Sequence, residues 1–208
     1  MKHLFIINPA AGSSDHTMEY SSAIRTACGA RRLKYEIRVS IGPGDCARIA
    51  RAAAETGEDV RIYACGGDGT LNEVVTGIRG FSNAAVTAYA GGSGNDFVRM
   101  FDNPAAFSDL DQLLDAQERS FDLIRVNDDY AFNICSVGLD ARIGTDVSGY
   151  KRIPLLQGFR AYAVSTVVNV VRGIGEHYVL EVNGETIDGE QTMICVCSGQ
   201  YYGGGFHP

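Results

Sequence analysis

Two glycine-rich segments each follow an apolar run that has the composition of a buried β-strand. GGDGT, at 66–70, comes directly after VRIYAC, and GGSGND, at 91–96, comes directly after AAVTAYA. Two earlier runs, at 3–8 and 35–40, also end in turn residues and lead into helical patterns. Strands that alternate with helices through short connections favour a mostly parallel sheet covered on both faces. The first part of the chain is therefore predicted to be an α/β domain.

The pattern changes after about residue 118. Two pairs of alternating runs flank the polar turns Asn127–Asp129 and Asn183-Gly184, which is typical of antiparallel hairpins, and helical material lies between them at about 140–172. We expect a second, β-rich region with a helical insert.

These patterns predict two domains. The first is an α/β domain over residues 1–118, and the second is a partial β-rich domain over residues 119–208. The chain ends in the glycine-rich segment YYGGGFHP with no closing strand, so we expect the second domain to be incomplete.

Charge and apolar patterning exclude several classes of protein. The net charge of -7 argues against nucleic-acid binding, because neutralising phosphates along a duplex requires a concentrated basic surface. The apolar run at the amino terminus, Leu4 to Ile7, is too short for a secretory signal, and the longest apolar stretch, 161–171, is too short and too polar to span a bilayer. A cytoplasmic protein is expected.

The six cysteines show no spacing that is typical of a zinc site. We interpret them as buried free thiols of a reducing compartment. Cys195 and Cys197 alternate along an apolar run and are expected to face the core.

The two glycine loops are candidates for binding phosphate. In an open parallel sheet, ligands lie beyond the carboxyl ends of strands, where glycines allow phosphate groups to approach the backbone N–H groups. Tight strand-to-helix turns are the alternative reading of the same glycines. Neither the P-loop motif nor the dinucleotide fingerprint G-x-G-x-x-G occurs, so the phosphates must be bound in another way.

An aspartate inside the first loop points to a metal ion. Asp68 would repel a triphosphate unless a divalent cation lay between them, and Mg²⁺ prefers one or two carboxylates together with phosphate and water oxygens. Asp96 and Asp122 are candidates to join Asp68. Asp96 could instead be a helix N-cap, and Asp122 an acid at a strand edge.

Three motifs together resemble the catalytic domain of diacylglycerol kinases and the related sphingosine and ceramide kinases. They are NPAAG after the first strand, GGDGTLNEVVTG after the third and GGSGNDFVR after the fourth, and FDLIRV, FNICSVGLDA and YYGGGFHP also fit the pattern of the family. GGDGT alone would be shared with NAD kinases, whereas the combination is specific. The resemblance implies an NAD-kinase-like α/β domain followed by a β-sandwich domain.

The resemblance also assigns roles to residues of this sequence. It implies that ATP is bound by three segments: the first loop, with Asn8, Pro9 and Gly12; the GGDGT segment, with Gly66, Gly67, Gly69 and Thr70; and the opposite wall, with Ser93, Gly94 and Asn95. Glu73 matches a position that faces the nucleotide. Three acids that the family ties together through Mg²⁺ and water correspond to Asp68, Asp96 and Asp122. The resemblance also implies that Asp68 is a catalytic residue.

One part of the family pattern is missing from this sequence. The family's catalytic base is the aspartate of a late DGE-like segment, and an acidic metal-binding loop follows GGG; both would lie beyond Pro208. Asp188-Gly189-Glu190 lies earlier, within the second hairpin, and we interpret it as turn residues. The expectation is that this chain lacks the base and that the fragment itself is inactive.

The expected activity is an ATP- and Mg²⁺-dependent transfer of phosphate to a lipid hydroxyl, with diacylglycerol as the expected substrate. An NAD kinase-like enzyme and a non-catalytic module that binds nucleotide or lipid are the alternatives. Peripheral contact with the membrane could use Lys151, Arg152 and Arg160, which flank the apolar IPLL segment. The sequence does not indicate an oligomeric state.

Overall fold

A computed structural model describes residues 1–12, 14–91, 95–150, 159–201, 203 and 207 of the protein. The chain forms two compact units, the first comprising Met1–Asn133 with Ser198–Pro208, and the second comprising Ile134–Cys197. The domain boundary near residue 118 stays a prediction.

The first unit is built on a four-stranded parallel sheet of order β2-β1-β3-β4. Its elements are β1 (Lys2–Ile7), α1 (Thr17–Ala30), β2 (Tyr35–Val39), α2 (Asp45–Ala54), β3 (Val60–Gly66), α3 (Asp68–Ile78), β4 (Ala84–Ala90), two 3₁₀ helices (Phe97–Met100 and Pro104–Ser108), α4 (Leu110–Asp115), β5 (Ile124–Val126) and β6 (Asp129–Ala131). The four strands predicted from the apolar runs are confirmed. Strands β5 and β6 form an antiparallel hairpin whose turn begins at Asn127, which has φ 55°.

The central strand β1 supplies side chains to two core layers, because successive residues of a strand point to opposite faces of the sheet. Leu4 and Ile6 pack in a cluster with residues of α2 and α3, whereas Phe5 and Ile7 pack in a cluster with residues of α1 and α4. All four side chains are almost completely buried. The sheet is therefore covered on both faces, as the sequence predicts.

Helices α2 and α3 approach closely at a glycine. An added Cβ at Gly77 would lie 2.3 Å from the carbonyl oxygen of Ala47, so the hydrogen of glycine lets the two helices pack at this distance. This contact holds α3 against α2, and it thereby positions Asp68, the first residue of α3.

In its described residues, the second unit contains two antiparallel strand pairs and two helices. Its elements are β7 (Ile134–Gly138), α5 (Leu139–Tyr150), α6 (Phe159–Val171), β8 (Glu176–Val182), β9 (Glu185–Gln191) and β10 (Met193–Cys197). Strand β7 pairs with β10, and β8 pairs with β9. The turn at Asn183-Gly184 has positive φ at both residues, as a two-residue hairpin of type I′ requires.

Two sequence predictions about the second unit are wrong. Asp188-Gly189-Glu190 is part of β9 and not a turn, because the turn at Asn183-Gly184 closes the hairpin and the ladder continues past Asp188, which pairs with Val179. Cys197 is exposed and Cys195 only half-buried, so neither is a core residue. Cys135 is also only half-buried, whereas Cys28, Cys46 and Cys65 are buried as predicted.

The fold class predicted from the sequence is confirmed: a parallel-sheet α/β region precedes antiparallel strand pairs. Within the described residues, no helix combines the length and the apolar character that a membrane crossing requires.

Candidate functional site

The carboxyl ends of β1, β3 and β4 lie side by side at one edge of the parallel sheet. The helix after β1 packs on one face of the sheet and the helix after β3 packs on the other. Neighbouring parallel strands whose helices diverge in this way leave a crevice at their carboxyl ends, where ligands of open α/β sheets bind. Each predicted phosphate-binding segment begins at this edge.

Asn8, directly after β1, is hydrogen-bonded to the start of α3. Its side-chain amide donates to Oγ1 of Thr70 over 3.0 Å, and its Oδ1 accepts from the backbone N–H of Ala10, also over 3.0 Å. An added Cβ at Gly66 would lie 2.4 Å from Oγ1 of Thr70, so only glycine fits beside this hydrogen bond. The NPAAG and GGDGT segments therefore form one connected surface.

Asp68, the first residue of α3, binds the segment that follows β4. Its Oδ2 accepts a hydrogen bond from the backbone N–H of Asp96 over 2.9 Å, and its Oδ1 accepts one from the backbone N–H of Phe97 over 3.1 Å. At the other end of the second glycine loop, the N–H of Gly91 donates to the carbonyl oxygen of Gly66 over 3.5 Å. Each end of the second loop is thus bound to the first loop.

The environment of Asp68 makes its ionised form more costly than in water. Burial raises the pKa of the Asp68 carboxyl, and the nearby charge of Asp96 raises it further; the N–H groups of Asp96 and Phe97 and the charge of Arg99 oppose this shift without cancelling it. Asp96 is itself buried, and Nη1 of Arg99 lies 3.7 Å from its Oδ1. A half-buried acid and a buried acid in one crevice are suited to a divalent cation.

Asp122, the third predicted acid, is exposed, but its segment packs close to the loop that carries Asp96. The ring of Phe121 lies 5.4 Å from the ring of Phe97, and these two residues directly adjoin Asp122 and Asp96. Among the described residues, no three His, Cys, Asp or Glu side chains form a group that could hold a metal ion. The structure brings together Asp68 and Asp96, and a triad that includes Asp122 stays a prediction.

Glu73 packs against the neighbouring helix. Its Oε2 accepts a hydrogen bond from the backbone N–H of Cys46, in the first turn of α2, over 3.2 Å. Its contact with a nucleotide stays a prediction. Sequence reasoning did not anticipate this long-range hydrogen bond, because the pattern of a single helix does not indicate what its half-buried side chains touch.

The remaining predicted residues line the same edge or lie outside the described part of the chain. Pro9 is half-buried and Gly12 is exposed with φ 86°, a conformation that suits glycine. Ser93 and Gly94 lie outside the described residues. Asn95 is half-buried, and Asp96 directly precedes the 3₁₀ helix Phe97–Met100 without a capping hydrogen bond from its side chain.

Comparison with known families gives one match that covers more than half of the chain. Residues 2–126 match the diacylglycerol kinase catalytic domain. The chain belongs to this family. The match covers β1 to β4 with both glycine loops, and it also covers the segment of Asp122.

Curated relatives of this diacylglycerol kinase family member are named as candidate lipid kinases. One from Staphylococcus carnosus is 29% identical over 81% of this chain and 56% of its own length, and one from Staphylococcus epidermidis is 32% identical over 83% of this chain and 57% of its own length. The chain therefore spans little more than half the length of these relatives.

Solved structures support the fold. A protein from Bacillus anthracis described as a candidate diacylglycerol kinase superposes with a TM-score of 0.74 at 23% identity, covering 100% of this chain and 69% of its own. A diacylglycerol kinase structure from the same organism gives a TM-score of 0.67 at 20% identity, covering 98% of this chain and 66% of its own. At these identities the likeness shows a shared fold.

Proposed function

We propose that the protein is a lipid kinase that transfers the γ-phosphoryl group of ATP to a lipid hydroxyl, with diacylglycerol as the acceptor. Its membership in the diacylglycerol kinase catalytic domain family and the names of its relatives support the reaction class. Diacylglycerol is inferred to be the acceptor from the family alone.

One observation carries the proposal: the Asp68 carboxylate holds the second glycine loop against the first through two backbone hydrogen bonds. This places the amino terminus of α3 and both loops at one crevice. The backbone N–H groups at a helix start and in glycine loops bind phosphate oxygens, and they remain in place as charge develops during transfer. In this proposal the loops bind and orient the triphosphate without any lysine.

Asp68 and Asp96 would hold Mg²⁺, with Asp122 as a third participant through water. The acids fit such an ion because ionising Asp68 carries a cost in its half-buried position beside the buried Asp96, and a cation would lower that cost. When bound, Mg²⁺ would neutralise charge on the phosphates. Asn8, through Thr70, would keep the NPAAG segment at the nucleotide.

The lipid acceptor implies contact with a membrane surface from the cytoplasmic side. Arg160, at the start of α6, is exposed, and Lys151 and Arg152 lie outside the described residues. We propose that these three basic residues bind anionic lipid. Sedimentation with anionic vesicles should decrease when Arg152 and Arg160 are both changed to Glu; unchanged sedimentation would contradict this surface.

The test of the function is transfer of label from [γ-³²P]ATP. Because the chain spans little more than half the length of its curated relatives, the assay uses the polypeptide of the complete reading frame that contains it. That purified polypeptide is offered diacylglycerol in mixed vesicles, or NAD, or neither, each with Mg²⁺ and with EDTA. We expect labelled phosphatidic acid only with diacylglycerol and Mg²⁺, and ATP binding by calorimetry only with Mg²⁺.

The outcomes separate the alternatives. Labelled NADP would indicate an NAD kinase-like enzyme instead. Binding of ATP without label transfer to either acceptor would indicate a non-catalytic module, and failure to bind ATP at millimolar Mg²⁺ would reject the nucleotide site itself.

A further inference from the structure

Tyr20 lies on α1, outside the loops described above, and contacts the end of β4. Its side chain is buried, and its Oη donates a hydrogen bond to the carbonyl oxygen of Tyr89 over 3.3 Å. The two rings meet edge to face with centroids 4.9 Å apart. Burial raises the pKa of Tyr20, so the hydroxyl stays protonated and can donate throughout the physiological range.

The hydroxyl of Tyr20 also lies directly against Gly91, the first residue of the second glycine loop. An added Cβ at Gly91 would lie 1.6 Å from Oη of Tyr20 and 2.7 Å from its Cζ. Gly91 does not have positive φ, so its backbone does not require glycine. The reason for a glycine at this position is therefore the tyrosine that packs on it.

Gly91 also contacts the first glycine loop, because its N–H donates to the carbonyl oxygen of Gly66. Tyr20 thus supports the point where the second loop leaves the sheet and meets GGDGT. Asp68 holds the other end of the same loop through Asp96 and Phe97. In the described part of the loop, Tyr20 therefore supports one end and Asp68 the other, from helices on opposite faces of the sheet.

We propose that Tyr20 is a positioning residue that sets the place of the second glycine loop for phosphate binding. This inference rests on the proposed function, in which the loop binds the phosphates of ATP. Tyr20 does not touch the nucleotide in this proposal. It acts through Gly91, and the contact should be visible as an energetic coupling between the two positions.

The first experiment measures the affinity for ATP with Mg²⁺ by calorimetry, together with the thermal midpoint, for Tyr20→Phe and Tyr20→Leu. Tyr20→Phe keeps the ring and removes only the hydroxyl, so we expect affinity about threefold weaker with little change in midpoint. Tyr20→Leu should weaken binding about tenfold. Tyr162→Phe, which alters an exposed tyrosine of α6, is the matched control and should bind ATP as the wild type does.

The second experiment is a double-mutant cycle. Gly91→Ala alone should weaken ATP binding at least tenfold because the methyl group meets the Tyr20 ring, and the same change in the Tyr20→Leu protein should cost much less. Gly29→Ala, where an added Cβ meets no atom within 4 Å, is the glycine control.

Additive losses at Tyr20 and Gly91, or wild-type ATP affinity in both Tyr20 variants, would overturn the positioning role while leaving the proposed function intact. Failure of the wild-type protein to bind ATP would instead reject the proposed function, and this inference with it.

Discussion

The side-chain amide of Asn8 donates a hydrogen bond to the hydroxyl of Thr70, which joins the end of β1 to the first turn of α3. The two residues are 62 positions apart in the chain. Thr70 is almost completely buried, so its hydroxyl is an internal partner and not a solvated group. The bond bridges the crevice edge at which the phosphates are proposed to bind.

Replacing Thr70 with Val should weaken this edge, because it leaves an amide N–H of the half-buried Asn8 without its acceptor. We expect the free energy of unfolding to fall by about 1–3 kcal/mol, as measured by urea denaturation, and ATP to bind less tightly. Thr26→Val is the control: Thr26 is an exposed helical threonine that donates to the carbonyl oxygen of Ser22. If the free energy of unfolding fell equally in the two variants, the hydrogen bond from Asn8 would contribute no more to stability than the exposed hydrogen bond of Thr26.

Replacing Asp68 with Asn should loosen the second glycine loop from α3. The carboxylate accepts two backbone N–H groups, whereas an amide offers only one acceptor and turns its own donor towards the other N–H. Loss of Mg²⁺-dependent ATP binding is expected, as measured by calorimetry at neutral pH. Normal lipid phosphorylation by this variant would contradict the assigned role of Asp68.

The stability contributed by Asp68 should depend on pH. Because its pKa is raised in the folded state, the folded protein binds this proton more tightly than the unfolded chain does. Its contribution is therefore complete below the ordinary pKa of 3.8 and is lost as pH rises through the folded pKa. The stability of the wild type relative to Asp68→Asn should fall across this window in urea titrations without Mg²⁺; a constant difference would contradict the raised pKa.

Gly77→Ala should separate α2 from α3, since the new methyl group would overlap the carbonyl oxygen of Ala47. We expect a loss of about 1–3 kcal/mol in the free energy of unfolding. Gly29→Ala, in α1, meets no atom within 4 Å and should instead raise stability by up to about 1 kcal/mol, because alanine favours the helix. A loss of similar size in both variants would place the cost in the helices themselves and not in the packing at Ala47.

The fold could largely be predicted from the sequence, because its signals are local. The apolar runs before GGDGT and GGSGND mark β3 and β4, and Asn183-Gly184 marks a hairpin turn whose positive φ values are observed. Local composition predicts a turn at Asp188-Gly189-Glu190, and this prediction is wrong. The pairing of β8 with β9 continues through these residues, where Asp188 and Glu190 are exposed and polar side chains are therefore tolerated. It also misled at Cys197, because alternation does not indicate which face of a strand is covered.

The sequence predicts that Asp68 and Asp96 lie near each other, which the structure shows, but it does not predict the contacts of the candidate site. This prediction follows because the loops that carry Asp68 and Asp96 each come directly after a strand of the parallel sheet. The sequence contains no sign that Asp68 accepts backbone hydrogen bonds, that Glu73 reaches the N–H of Cys46, or that Tyr20 packs on Gly91. Such contacts join residues that are distant in the chain, so their existence depends on how the helices pack.

The second glycine loop is attached to both core layers described for β1. Changes to the apolar residues beneath α1 would reach one end of that loop through Tyr20, whereas changes beneath α2 and α3 would reach its other end, together with the first loop, through Asp68. Substitutions among core side chains on either face can thereby alter the shape of the crevice.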